Sequence, residues 1–302
     1  MKARSLKALK HHARRGRSAR SSIGLVVRAA LGDDALRMLS HEPGARRSLP
    51  EDVHQMRTSV RRLRSDLRFF KPLMDGPGLR PLRDELRWLA GVLGDVRDLD
   101  VLEDRLRRAV VALDCVAPSD PIFEEIDRRR DRHRSTLRDT LDGDRYAALR
   151  AALIAEARSP SLAGGHDRPA GAVLVDRLGR DWRRLLDALE ATPPDAPAEA
   201  LHAFRKQAKR TRYAAESVAD RLGRPAGKGA KRLGRQAKQI QEILGIAQDA
   251  HVAEAFIRDL MQGLPPDGPG RHAAALLLDH QAREAEDALI QYQSLRDQML
   301  DD

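Results

Sequence analysis

One cysteine, Cys115, stands in 302 residues, so neither an intrachain disulfide nor a cysteine-based zinc site can be built. Aromatic residues make up only 3% of the chain, which leaves little material for stacking nucleic-acid bases. No apolar run reaches the roughly 18 residues a membrane span needs, and no signal-peptide core is present; the chain reads as soluble and cytoplasmic. Also missing are a phosphate-loop lysine, a nucleophile elbow and a paired acid cluster, which argues against an enzyme. Helix-turn-helix, zinc-finger and RNA-recognition signatures are absent too. What remains is 41% hydrophobic, rich in Leu, Ala, Arg and Asp and poor in β-branched clusters. That composition predicts an all-α protein of packed amphipathic helices.

The net charge is +10, and its distribution says more than its sum. Residues 1–28 carry nine Lys/Arg and no acid. Residues 54–87 hold nine basic side chains against four acidic ones, and residues 201–238 hold twelve against two. Residues 98–200 are net −4 and residues 239–302 net −8. Two basic blocks inside an otherwise acidic chain indicate a built cationic surface rather than general stickiness.

The first block, "HQMRTSVRRLRSDLRFF" from His54, shows how such a surface is made. At about 100° per residue on a helix, His54, Arg57, Arg61, Arg64 and Arg68 share an arc of about 80°, and Arg62 points away. Val53, Met56, Val60, Leu63, Leu67 and Phe70 fill the neighbouring arc. Like charges three or four residues apart repel by a few tenths of a kcal/mol per pair, so the column favours an anion lying along it.

Residues 1–20 form a basic tail without an apolar face. A helix is predicted from about Ser22 to His41, then a loop, "EPGARRSLPED", ending at an Asp52 N-cap. Long amphipathic segments follow, with a weak stretch "SPSLAGGHDRPAG" dividing the chain near its middle. Trp88 and Trp182 are expected in the core. From His202 the opening pattern returns as "HAFRKQAKRTRYAAESV", 148 residues after the first, with Leu201, Phe204, Ala208, Ala215 and Val218 repeating the apolar stripe. "LAGVLGDVRDLDV" from Leu89 likewise matches "IQEILGIAQDAHV" from Ile240, 151 residues on. Two ordered matches at nearly one offset predict an internal duplication, with halves at about 21–160 and 170–302. Each half is expected to be a helical bundle. Gly94 and Gly245, paired by the second match, are expected to permit close helix approach or a local kink.

The paired motifs, H-x-x-R-x-x-x-[RK]-R-x-R followed by L-G-x-x-x-D, resemble the CHAD family, named for a conserved histidine α-helical domain. The resemblance covers roughly residues 20–300, and four motif segments in order make it specific. It implies two similar helical bundles related by approximate twofold symmetry, around a basic cleft or pore. It also implies binding of inorganic polyphosphate, often at intracellular polyphosphate granules, without a cofactor. Some relatives add a triphosphate-tunnel domain with an E-x-E-x-K strand; this chain has no such motif and looks like a stand-alone binding module. Matched residue by residue, the family's basic positions fall on His54, Arg57, Arg61, Arg64, His202, Arg205, Lys209 and Arg212. Arg80 and Arg87 match Lys231 and Lys238 under the second offset, with Arg83 and Arg235 near by and Tyr213 beside Arg212. Asp98 and Asp249 are expected to orient Arg or His side chains from behind. Ser65 stands opposite Tyr213, Gln248 where Arg97 does and His251 where Asp100 does, so the half-sites are not expected to be equivalent.

Competing readings stay in view. A solvated salt-bridge face would explain one Arg column, but few acids lie within a turn of these, and the column repeats. His54 and His202 could contact phosphate, start a helix or ligate a metal; flanking arginines make a cation unwelcome, and no metal is expected. Guanidinium groups suit phosphate oxygens through bidentate, charge-assisted bonds. Nucleic acid is the alternative polyanion, expected to bind weakly and without specificity. A metal-dependent phosphohydrolase would need carboxylates facing the phosphates, and Glu216 is the one near the columns. Oligomeric state is left open by the sequence.

Overall fold

The computed structural model describes residues 18–114, 119–223 and 226–301. Most of the basic tail, residues 1–17, and Cys115 lie outside the described residues. The fold is all-α: nine helices, and no strand, among the described residues. They are α1 (Ile23–Arg46), α2 (Pro50–Phe69), α3 (Leu79–Ala112), α4 (Asp120–Asp142), α5 (Asp144–Arg158), α6 (Ala170–Glu190), α7 (Ala198–Leu222), α8 (Ala226–Met261) and α9 (Pro269–Asp301). The two helices that carry the basic motifs, α2 and α7, start 148 residues apart, the same offset that aligns His54 with His202.

The boundaries follow from local chemistry. Ser22 caps α1 by accepting from the Leu25 N–H at 3.4 Å. Pro50 opens α2, where its missing N–H costs nothing, and Glu51 and Asp52 place negative charge in the first turn. The expected loop at residues 42–52 is shorter than the sequence implies. Helix α1 continues through Pro43 to Arg46, and Leu49, not Asp52, is the residue before α2. Asp52 instead meets His41 Nδ1 at 2.8 Å. A side chain at Gly44 would collide with the Asp52 carboxyl group, so glycine at this position admits the pairing.

The chain forms two compact units. The first takes its described residues from Met1–Gly94, Arg134–Arg184 and Arg210–Ala237; the second from Asp95–His133, Leu185–Lys209 and Lys238–Asp302. Both draw on α3, α4, α6, α7 and α8, because these helices are long enough to supply residues to more than one core. The units therefore do not coincide with the two sequence halves; each contains residues of both.

In the first unit, α2 buries the apolar stripe the sequence defines: Val53, Met56, Val60, Leu63, Leu67 and Phe70 are all buried, against α1 residues that include Val27, Leu31 and Met38. Each such side chain contributes about 2 kcal/mol on burial. In the second unit, Leu102, Leu106, Ile122, Ile126, Phe256, Ile257 and Leu277 form one apolar cluster with contributions from α3, α4, α8 and α9. Trp88 and Trp182 are half-buried, not core residues. The Arg145 guanidinium covers the Trp88 ring at 3.9 Å and pairs with Glu85 at 2.7 Å, so a cation takes the place of apolar packing there.

Candidate functional site

The side chains beside the α2 stripe are where the chemistry lies. In the first unit, Arg64 and Arg68 on α2 share one electrostatic neighbourhood with Arg83 and Arg87 on α3, and Arg68 also senses Arg210 on α7. Burial, followed by repulsion from Arg87 and Arg83, pushes the Arg64 guanidinium below its usual range. For Arg68 the causes are burial and then Arg210, Arg64, Arg83 and Arg87. Among the described residues, Arg87 pairs with Asp84 at 3.1 Å, whereas Arg64, Arg68, Arg83 and Arg210 have no carboxylate partner. Arginine stays protonated throughout, so the cluster is a concentrated, under-neutralised positive charge.

Arg61 borders this cluster in a different way. Its Nη2 donates to the Tyr213 hydroxyl at 2.6 Å, and both Arg61 and Arg212 lie within cation–π distance of the Tyr213 ring, at 5.9 and 5.6 Å. Arg212 also bonds Glu216 at 2.7 Å, and Glu216 reaches Arg62 at 3.4 Å. Arg62 thus points away from the column, as the helix arithmetic requires, but not into solvent. It lines a polar cleft with Asp34, Arg37, Asp66, Glu216 and Arg221. Asp34 and Asp66 are buried there, and Arg221 pairs with Asp33 at 2.5 Å. Burial, against the pull of Arg37, Arg62 and Arg221, raises Asp34 to about 6. Burial and then the Asp34 charge raise Asp66 to about 8. Both carboxyls lie above the ordinary carboxylate range because they are desolvated and adjacent, and Asp66, at about 8, keeps its proton through neutral pH.

The second unit holds the other motif. His202 Nδ1 lies 2.7 Å from Gln248 Oε1; an amide oxygen only accepts, so Nδ1 carries the hydrogen and Nε2 is left for another partner. Arg205 Nη2 stands 4.0 Å from Asp249 Oδ1. Burial raises the Asp249 carboxyl above its ordinary range, Arg205, Arg105 and Lys209 oppose that rise, and Asp98 adds to it. Asp249 stands directly against Arg205, and Asp98 lies close enough to act on Asp249. Arg105, which the motifs did not single out, bonds Gln281 and, at 2.5 Å, Glu284.

Of the remaining predicted positions, His54 and Arg57 are half-buried on α2, while Arg80, Lys231 and Arg235 are exposed in the first unit. Lys238 pairs with Glu242 at 3.3 Å, in the second unit. Two arginines outside the predicted positions join the cluster. Arg68 lies on the column and was legible from its spacing. Arg210 holds the place in the second motif that Arg62 holds in the first, where spacing points it away from the column, and only the tertiary packing of α7 brings it to Arg68. Helix α8 is continuous through Gly245. Phe69 is buried beneath Arg177, whose guanidinium lies 5.2 Å from its ring. Among the described residues no group of three or more His, Cys, Asp or Glu side chains could hold a metal ion, and no helix is long and apolar enough to cross a membrane.

An all-α domain with a cluster of under-neutralised arginines on motif-bearing helices is the class these features define. The chain belongs to the CHAD domain family, whose model matches residues 29–258. It is 32% identical over 244 residues to the uncharacterised proteins MT2285 and Rv2226, from two strains of Mycobacterium tuberculosis. That alignment covers 76% of this chain and 44% of each relative, so the chain spans less than half the length of the curated relatives it matches. Among solved structures, PptA from Streptomyces chartreusis matches with a TM-score of 0.74 at 21% identity, over 91% of this chain and 99% of that one. The CHAD domain from the plant Ricinus communis matches with a TM-score of 0.73 at 26% identity, over 92% and 93%.

Proposed function

We propose that this chain binds inorganic polyphosphate as a non-catalytic module, gripping the polymer through the arginine faces of its motif-bearing helices. The observation that carries this reading is the α2–α3–α7 cluster, in which Arg64, Arg68, Arg83 and Arg210 lack carboxylate partners among the described residues. Cations that raise one another's free energy are stabilised by a ligand with closely spaced negative charges. A linear polyphosphate offers about one charge per phosphoryl unit and only phosphate oxygens, which guanidinium forks match. Membership of the CHAD family supports the same ligand, and the motifs that carry the family resemblance supply Arg64. In the cell this reading places the chain in the cytoplasm, at polyphosphate granules.

Nucleic acid is the competing polyanion. Tyr213 is the aromatic residue at the cluster, and it is buried and engaged by Arg61, so it offers no open face for stacking a base. Competition decides between the two: labelled long-chain polyphosphate, challenged at physiological salt with unlabelled polyphosphate, single-stranded DNA or duplex DNA. Displacement by polyphosphate at concentrations at least about tenfold below those of either DNA, per charge, is expected; equal displacement defeats the reading. Phosphate release measured with Mg²⁺ or Mn²⁺ tests the non-catalytic part, and none is expected.

A further inference from the structure

Gly245 lies inside the 36-residue helix α8, where glycine is a poor helix former, so its presence calls for a reason. A Cβ built at this position would meet Arg205 Nη2 at 3.3 Å, Nε at 3.4 Å and Cζ at 3.8 Å. The three nearest atoms beyond its own helix all belong to that one guanidinium. At Gly234, by contrast, the nearest atoms are the Ala215 Cβ and the backbone of α7, the signature of close helix approach. Gly245 serves no such approach. It leaves a flat patch of helix backbone on which the Arg205 guanidinium lies.

The rest of the arrangement fits a seat. Arg205 Nε is buried without a hydrogen-bond partner, so no hydrogen bond at that edge fixes the group. Asp249, one turn beyond Gly245 on α8, approaches Nη2 at 4.0 Å, too far for a hydrogen bond but close enough to attract it. Among the described residues the guanidinium is therefore held by fit and by charge, with its Nε donor unspent. We infer that Gly245 is a positioning residue: the missing side chain seats the Arg205 guanidinium on α8, and Asp249 orients it, so that its fork is preset for a phosphate oxygen pair. This inference rests on the polyphosphate reading for its ligand, but the seat itself does not.

Gly245→Ala separates this role from a structural one because the two effects have opposite signs. Alanine favours the helix, so thermal stability should hold or rise by about 2 °C. The Arg205 guanidinium must shift by a few tenths of an ångström, and polyphosphate affinity should fall roughly 3- to 10-fold, the loss expected for one disturbed charge-assisted contact. In an Arg205→Ala background, Gly245→Ala should change affinity no further. Gly179→Ala, at a helical glycine with open space around it, is the control and should leave affinity unchanged. An equal affinity loss in the Arg205→Ala background, an unchanged affinity, or a clear drop in thermal stability would each overturn the assignment. A ligand-free arm uses the Arg205 Nε–H resonance in nitrogen-15 spectra, assigned by its loss in Arg205→Lys. The unmodified protein should show a slowly exchanging signal and Gly245→Ala a faster one. If the unmodified protein failed to bind polyphosphate, the functional reading would fall and this arm alone would decide the seat, an unaltered signal overturning it.

Discussion

Replacing Asp66 by Asn should stabilise the protein increasingly as pH rises and have little effect only at about pH 4. Asp66 is fully buried on α2, facing Asp34 and Arg37 from α1, Arg62 from its own helix, and Glu216, Ser217 and Arg221 from α7. Its carboxyl is raised to about 8 by burial first and by Asp34 second. A carboxyl raised in the folded state contributes stability that is complete below its unfolded pKa, near 4, and is lost as pH climbs through the folded value. For one proton the loss is about 1.4 kcal/mol per pH unit, so between pH 6 and pH 8 the native protein should lose about 3 kcal/mol through this group. Asparagine reproduces the neutral acid without titrating. Urea unfolding of both proteins at pH 6, 7, 8 and 9 measures the difference directly. The variant's advantage over the parent should grow by roughly 2–3 kcal/mol between pH 6 and pH 9. A difference that does not change with pH, or a variant that loses ground as pH rises, would refute the placement of a protonated acid beside Asp34.

Arg62→Ala removes a partner of Glu216 and of the buried acids, and should cost about 2 kcal/mol of stability, discounted from a fully buried pair because Arg62 is partly exposed. Thermal unfolding reads this, and no change would sink the buried-network reading. Arg210→Ala should weaken polyphosphate binding about as much as Arg64→Ala, contrary to what helix spacing alone implies, because both belong to one cluster. If only Arg64→Ala has an effect, α7 does not contribute to the site. The affinity should also be steeply dependent on salt. Five arginine contacts at about −0.7 each, taking single-stranded nucleic acid as the analogue, give a log–log slope near −3.5, and a slope shallower than about −2 contradicts an extended cationic site.

The helices and their buried faces were legible because period and burial are local properties. Each stripe residue named on α2 is buried, and the arc of Arg62 relative to the column holds. Interactions between helices were less so. His41 takes Asp52 away from the cap position that the sequence offers it. Arg210 joins Arg68 although it points away from its own helix's column. The α1 acids that meet Arg62 and Arg221 carry no motif at all; Asp34 reads as an ordinary polar residue until three helices enclose it. Gly245 was legible as unusual but not as a seat, since the residue that needs the space, Arg205, is forty positions earlier on another helix. The motif helices do carry cluster arginines, and a column of like charges is costly unless an anion lies along it.

On the proposed reading, the α2–α3–α7 arginines bind a polyphosphate chain. The most direct test of that reading is a calorimetric titration of long-chain polyphosphate into the parent protein and into an Arg64→Ala, Arg68→Ala, Arg210→Ala triple variant, with thermal unfolding of each in the absence of ligand. Removing cations that repel one another should leave the variant at least as stable as the parent, while its affinity falls by about 100-fold or more, equivalent to roughly 3 kcal/mol spread over three charge-assisted contacts. An affinity within about threefold of the parent, in a variant that remains folded, would contradict the account.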